Sequence, residues 1–343
     1  MAAVPSLSST LEHSYEYGAS LHKTIPQGQH CKTYLLGSPI AHSLAPLLHN
    51  TLFESAGLPW TYNLLESTNQ QDLISLLPAH DTVGSAVTMP HKVTFISKVD
   101  EVTPEGRAIG AINTVFVRLT PTGGRRYIGT NTDCIGVREA FLRNLSPDSL
   151  VVGKSKPALV IGGGGACRSA LYSLHHWLGV DTIYLVNRFK HEVDDIATAF
   201  SRVPGWKAKL VHVQTVEQAE GLEAPYFVVG TVPDYPPSTA EEKLALEVSR
   251  TLLSKPIPPS QSQSQPQKGA VLEMCYFPRV RTSFYSFVES EGWQVLPGTE
   301  AMIWQGVAQQ VLWTESLAPA DEEVVRTASQ VVLQAIQSQQ SKP

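Results

Sequence analysis

Cysteine is scarce in this chain, with four in 343 residues. Cys31, Cys134, Cys167 and Cys275 lie far apart and form no C-x-x-C pair, so neither a disulfide framework nor a zinc ribbon is indicated and a reducing compartment fits. Long apolar runs are missing as well: none approaches the ~18 residues of a membrane span. The first thirty residues are polar and lack the apolar stretch of a secretory signal, so residues 1–30 read as a flexible tail and the protein as cytoplasmic. Positive charge is not in excess. With 26 Lys and Arg against 31 Asp and Glu, a net charge of −5 and a pI near 6.1, there is no basic footprint, which argues against nucleic acid as a partner. No metal site is indicated, and His42 and His49 lack a third ligand at a useful spacing.

What is present is an ordinary globular composition, 42 % hydrophobic and 17 % charged, long enough for about two domains. Residues 82–87 form an apolar run that reads as a buried strand, and Val87-Thr88-Met89-Pro90-His91-Lys92 follows. Proline cannot donate to a central ladder, so Thr88 and Lys92 fall on the turn at the carboxyl end of that strand. Open α/β sheets hold their ligands there. A lysine in that place is either a solvated loop charge or a proton-transfer group. Upstream, residues 33–36 read as a strand and Gly37-Ser38-Pro39-Ile40-Ala41-His42-Ser43 as a rigid turn before a helix from Pro46 to Ala56. Ser43 near that helix start is a cap or an anion ligand. Downstream, Gly110-Ala111-Ile112-Asn113-Thr114 leads into a strand, and Asn131-Thr132-Asp133 opens a helix. Asp133 is either its cap or a partner for the Lys92 ammonium.

The second half changes character. A strand at 158–161 runs directly into Gly162-Gly163-Gly164-Gly165-Ala166-Cys167-Arg168, then a helix over about 169–178 and a strand at 182–186 ending in Asn187-Arg188. Strand, glycine turn, helix, strand is the order of a dinucleotide fold, although the third glycine of G-x-G-x-x-G is Cys167. Residues 226–230 read as a further buried strand with Thr231 in its exit loop, and 270–274 as another, with Tyr276 beyond it. Residues 254–268 are Ser, Pro, Gln, Lys and a single Ile, a mobile insertion with nothing to bury. Helical spacing returns over 300–314, and a last helix carries the stripe Val324, Ala328, Val331, Ala335.

Taken together, these motifs resemble the shikimate/quinate dehydrogenase family over roughly residues 33–314, with wording most like the fungal enzymes of quinate use; Met302-Ile303-Trp304-Gln305 adds a further match. The resemblance implies an α/β protein of two domains. An N-terminal substrate domain (31–150) precedes a Rossmann-type NAD(P)-binding domain (151–298), and C-terminal helices (299–343) pack back on the first. It implies reversible hydride transfer between NAD(P) and a small cyclohexane hydroxy acid, quinate or shikimate, by a monomer or homodimer. Lys92 and Asp133 match the catalytic pair. Ser43, Thr88, Asn113, Tyr276 and Gln305 match substrate-binding positions. Gly162, Gly163, Gly164, Gly165, Ala166, Arg168, Asn187, Arg188 and Thr231 match the cofactor site. Arg188, with Lys190 and His191 beside it and no carboxylate at the strand tip, tips the choice slightly to NADP over NAD. Two positions depart from the family pattern, Ala45 and Ala86, where polar residues are usual. The alternatives are a non-catalytic, dehydrogenase-like sensor controlling transcription and a related dehydrogenase of folates or amino acids.

Overall fold

The computed structural model describes residues 6–256, 268–277 and 279–340. The chain divides into two units, Met1–Ile135 with Met302–Pro343, and Gly136–Ala301. Residues 6–30 are built structure where a loose tail is expected. Helix α1 (Leu7–Ser14) is capped by Ser6, and Ala19 makes a β-bridge to Leu119. Leu21, 2 % exposed, anchors the segment in the core, and a few scattered apolar residues in a polar stretch give a sequence reading little to act on.

The first unit continues through β1 (Lys32–Gly37), α2 (Ala45–Ser55), β2 (Thr61–Glu66), α3 (Gln70–Ile74), β3 (Thr82–Val87), β4 (Glu101–Val102), α4 (Pro104–Ile109), β5 (Thr114–Leu119) and β6 (Arg125–Thr130), and α5 (Asp133–Asn144) starts in it and runs on into the second unit. Its sheet runs β2-β1-β3-β5-β6-β4. The pairs β1·β2, β1·β3 and β4·β6 are parallel, and β3·β5 and β5·β6 antiparallel. Every residue of β3 is buried, as its apolar, small-residue composition requires. In register, Thr114 lies opposite both Ala86 and Thr130. The end of β3, the start of β5 and the end of β6 therefore meet at one edge, and that edge carries the site.

The second unit holds α6 (Pro147–Lys154), β7 (Ala158–Ile161), α7 (Gly165–Tyr172), β8 (Thr182–Val186), α8 (Lys190–Ser201), β9 (Lys209–His212), α9 (Val216–Gly221), β10 (Phe227–Gly230), α10 (Ala240–Leu253), β11 (Ala270–Glu273), α11 (Ser283–Ser290) and β12 (Gln294–Pro297). Its six strands are all parallel, in the order β12-β11-β10-β7-β8-β9. Numbered from β7, this is the doubly wound 3-2-1-4-5-6 arrangement of a Rossmann fold, with its switch point between β7 and β10. Helix α7 starts at Gly165, four residues earlier than expected, because Gly164 in extended conformation already caps it; the helix passes into a π turn over 173–177. The insertion expected at 254–268 falls largely on residues 257–267, outside the described residues.

Helix α12 (Gly298–Thr314) is apolar on nearly every side, hence buried. Trp313 on it donates to Val115 O (3.0 Å) and packs so closely on β3 that a Cβ on Gly84 would lie 2.2 Å from the indole nitrogen. Helix α13 (Glu322–Gln340) packs against α2, and its buried residues are Val325, Ala328, Val332 and Ile336. Its buried stripe is centred on those four, with the expected Val324, Val331 and Ala335 half-buried at its margin. Among the described residues no helix is long and apolar enough to cross a membrane.

Candidate active site

Three strand ends bring the first set of predicted residues together. Val87 donates to Asn113 O (2.7 Å), Asn113 N to Thr130 O (3.1 Å) and Ile112 N to Lys92 O (2.8 Å). These backbone bonds hold the loop after β3 against the turns entering β5 and leaving β6. Lys92 Nζ lies 2.5 Å from Asp133 Oδ2, with both side chains largely buried. Asn113 Nδ2 donates to Asp133 Oδ1 (2.8 Å) and reaches Gln305 Oε1 on α12 at 3.2 Å. Asp133 is not the helix cap. Asn131 Oδ1 takes that role by accepting from Cys134 N (3.1 Å), which leaves the Asp133 carboxylate for the lysine and the amide. Both carboxylate oxygens thus accept hydrogen bonds, and the ammonium beside them balances the charge.

Ser43 and Thr88 lie outside this hydrogen-bonded set. Ser43 Oγ accepts from Ala45 N (3.2 Å) just before α2, and no side chain caps the helix itself. Thr88 is half-buried, and its backbone N–H donates to Leu36 O (2.8 Å). With Ser38 N donating to Met89 O (3.0 Å), the exits of β1 and β3 run side by side, so Ser43 and Thr88 sit on adjacent loops. Tyr276 belongs to the second unit, three residues past β11. His49 is fully buried and stacked on Tyr62, and burial pushes its imidazole down to about 3 against the pull of Gln309. It is a buried core group, the structural role of the two open to it in the sequence.

In the second unit the cofactor candidates gather at the switch point. Gly162 has φ of +125°, and a Cβ there would come within 2.3 Å of Thr231 Oγ1, which itself donates to Ile161 O (2.7 Å). A Cβ on Gly163 would meet Glu192 and Asn187, while the space beside Gly164 is open. The first turn of α7 has no side-chain cap, so backbone N–H groups of Gly165 and Ala166 and the open face at Gly164 suit a pyrophosphate. Arg168 is half-buried on the same helix. These residues fit a dinucleotide. Past β8, Asn187 donates to Glu192 (2.6 Å), and Asn187, Arg188, Lys190, His212, Gln214 and Glu241 line a cavity of about 140 Å³. Arg188 is paired there with Glu242 of α10, and Lys190 with Asp194.

Several residues at these sites escape a reading of local motifs. Thr114, Thr132 and Gln309 join the hydrogen bonds around Asn113, and Glu242 joins Arg188 from 54 residues away. Thr114 and Thr132 stand inside the motifs that carry the signal, whereas Gln309 is an ordinary helix residue with no local mark, and the capping box that Glu242 forms with Thr239 marks a helix start and not a partner for Arg188.

Comparison with known proteins adds an independent line. Residues 35–115 match the family described as shikimate dehydrogenase substrate binding domain. A quinate dehydrogenase of Emericella nidulans is 40 % identical over 324 residues, covering 91 % of this chain and 96 % of that enzyme. The pentafunctional AROM polypeptide of Eremothecium gossypii is 32 % identical over 315 residues, 90 % of this chain but 18 % of that polypeptide. Among solved structures, the dehydroquinate dehydratase and shikimate dehydrogenase of S. pombe superposes with a TM-score of 0.70 at 29 % identity, covering 95 % of this chain and 56 % of that one. A Thermus thermophilus shikimate 5-dehydrogenase in complex with NADP(H) and shikimate gives 0.63 at 27 %, covering 87 % and 99 %.

Proposed function

The chain belongs to the shikimate and quinate dehydrogenase family and is an NAD(P)-dependent oxidoreductase, and from that premise we propose that it interconverts a ring alcohol and a ring ketone of quinate or shikimate. The observation that carries the reading is the Lys92–Asp133 contact of 2.5 Å, with the carboxylate held from its other side by Asn113. In the oxidative direction the neutral Lys92 amine takes the hydroxyl proton and becomes the ammonium as the carbonyl forms; in reduction the ammonium gives that proton to the forming alkoxide and is left neutral. Bound nicotinamide supplies the hydride acceptor or donor. Asp133 orients the reacting hydroxyl and balances the ammonium. Gln305 holds a ring hydroxyl beside Asn113, Ser43 and Thr88 hold the carboxylate and hydroxyls from the neighbouring loops, and Tyr276 is assigned to the substrate on the resemblance alone. In the second unit, residues 162–168 with Thr231 hold the pyrophosphate side of the cofactor, and Asn187 and Arg188 the adenosine side. A touching lysine–carboxylate pair weighs against a non-catalytic sensor, which has no use for proton transfer.

The test follows absorbance at the reduced-nicotinamide band with quinate and shikimate, each with NAD and NADP. Lys92→Ala should lower kcat by about 10²–10⁴ while the dissociation constant of the acid stays within a few-fold. A folded Lys92→Ala protein with near-normal kcat would remove the lysine from the chemistry.

A further inference from the structure

We propose that Thr114 and Gln309 are positioning residues, forming a one-way line of hydrogen-bond donors that sets the Asn113 amide and through it the Asp133 carboxylate. This rests on reading Lys92 and Asp133 as the proton-transfer pair. The line starts on α12. Gln309 Nε2 donates to Thr114 Oγ1 (2.9 Å) and lies 3.3 Å from Asn113 O. Thr114 Oγ1 donates to Asn113 Oδ1 (2.9 Å), and Asn113 Nδ2 donates to Asp133 Oδ1 (2.8 Å). A threonine hydroxyl has one proton. Thr114 Oγ1 accepts from Gln309 and has two neighbours for its proton, Asn113 Oδ1 at 2.9 Å and Thr132 Oγ1 at 3.1 Å. Asn113 Oδ1 is the nearer and has no proton of its own, so the line runs to Asn113 and each bond polarises the next toward the carboxylate.

The direction of the amide follows from a second donor. Thr132 N–H points at Asn113 Oδ1 from 2.7 Å. A flipped Asn113 would set its NH₂ against that N–H and its oxygen against the Asp133 carboxylate, losing bonds at both ends. Gln305 and Gln309, one helical turn apart on α12, grip Asn113 from two sides: Gln305 Oε1 accepts from its amide while Gln309 feeds its carbonyl through Thr114. Thr114 is wholly buried, Gln309 is 1 % exposed and Asn113 3 %, so water cannot replace a missing member without rearrangement. In this arrangement Asn113 acts on the chemistry chiefly through Asp133, since both its amide protons already point at protein acceptors.

The experiment uses the full-length enzyme with Thr114→Val, Thr114→Ser and Gln309→Met. Loss of one such bond should lower kcat by about tenfold in Thr114→Val and Gln309→Met, with KM for the acid and for the cofactor within a few-fold. Thr114→Ser, which keeps the hydroxyl, should recover most of the loss. A purely structural role would instead lower the melting temperature and leave kcat of the folded protein intact, and that result overturns the proposal; so does a Thr114→Ser variant as slow as Thr114→Val. Should Thr114→Val not fold, Gln309→Met decides alone, because it removes the first donor at similar volume. Lys92→Ala run beside them separates the two readings: if it keeps kcat, the proton-transfer pair is wrong whatever the threonine variants do.

Discussion

Ala45 stands in the first turn of α2, 8 % exposed, in the same apolar cluster as Ile40, Phe53 and Ala86. The family pattern places a hydroxyl at this position to share the substrate carboxylate with the serine matching Ser43. Here the pair is reduced to Ser43, whose oxygen already accepts from Ala45 N. A hydrogen bond to a charged group contributes about 1.5–3 kcal/mol, so Ala45→Ser should lower KM for quinate or shikimate by about tenfold or more. The change in kcat should stay within a few-fold, since a carboxylate contact is common to ground and transition states. Because the position is buried, an unsatisfied hydroxyl would cost about 1–3 kcal/mol, and the melting temperature should be read beside the kinetics. An unchanged or higher KM in a protein of normal melting temperature would mean that the carboxylate binds elsewhere.

At the level of elements, Arg188 at the end of β8 and Glu242 in the first turn of α10 form a pair that alters the reading of the cofactor site. Backbone N–H groups of Ser238 and Thr239 and the Ser238 hydroxyl hold Glu242, pulling its carboxyl down to about 2. It is therefore a fixed anion beside the one arginine that argues for a 2′-phosphate. Glu242→Gln keeps the capping box, because glutamine serves there as well as glutamate. It should tighten NADPH by about tenfold and leave NADH unchanged in a fluorescence titration of the free enzyme; equal Kd values before and after would show the cluster to be mere surface. This site also shows where sequence reading stops. Strands β3, β7, β8 and β10 are legible because apolar runs end at Gly, Pro or Asn; Lys92 and the glycine turn stand out because each sits at such an end, and Asp133 because it opens a helix. The cap of α5 is ambiguous in sequence, since Asn131 and Asp133 are both cap formers and only geometry assigns the role. Gln309 and Glu242 act across 195 and 54 residues, and no local pattern encodes a partner at that distance.

For the molecule as a whole, the N-terminal segment and the residue after α12 meet in the first unit around Arg118. Its guanidinium donates to Ser14 Oγ (2.5 Å), Val117 O (2.8 Å) and Glu315 Oε1 (3.4 Å), and lies over the rings of Tyr15 and Phe116. Glu315, just past α12, also accepts from Tyr15 Oη (3.0 Å) and Leu21 N (2.9 Å). The Arg118 and Glu315 side chains are 1 % and 4 % exposed. Burial works against the arginine's charge, and Glu315 opposes that effect. This carboxylate thus fastens the N-terminal segment to the end of α12, the helix that carries Gln305 and Gln309. Glu315 has φ of 52°, an unusual conformation for a non-glycine residue that its several partners hold in place. Removing one partner of a buried ion pair costs about 3–5 kcal/mol, and at roughly 2–4 °C per kcal/mol for a unit of this size Glu315→Gln should melt well below the parent. Limited proteolysis should then cut first within residues 6–30. Replacing both charges, Arg118→Met with Glu315→Met, should recover much of the lost stability, because no buried charge is left unpaired. If Glu315→Gln melts with the parent and its N-terminal segment stays protected, the contacts of Leu21 and the Ala19 bridge hold the segment without the ion pair.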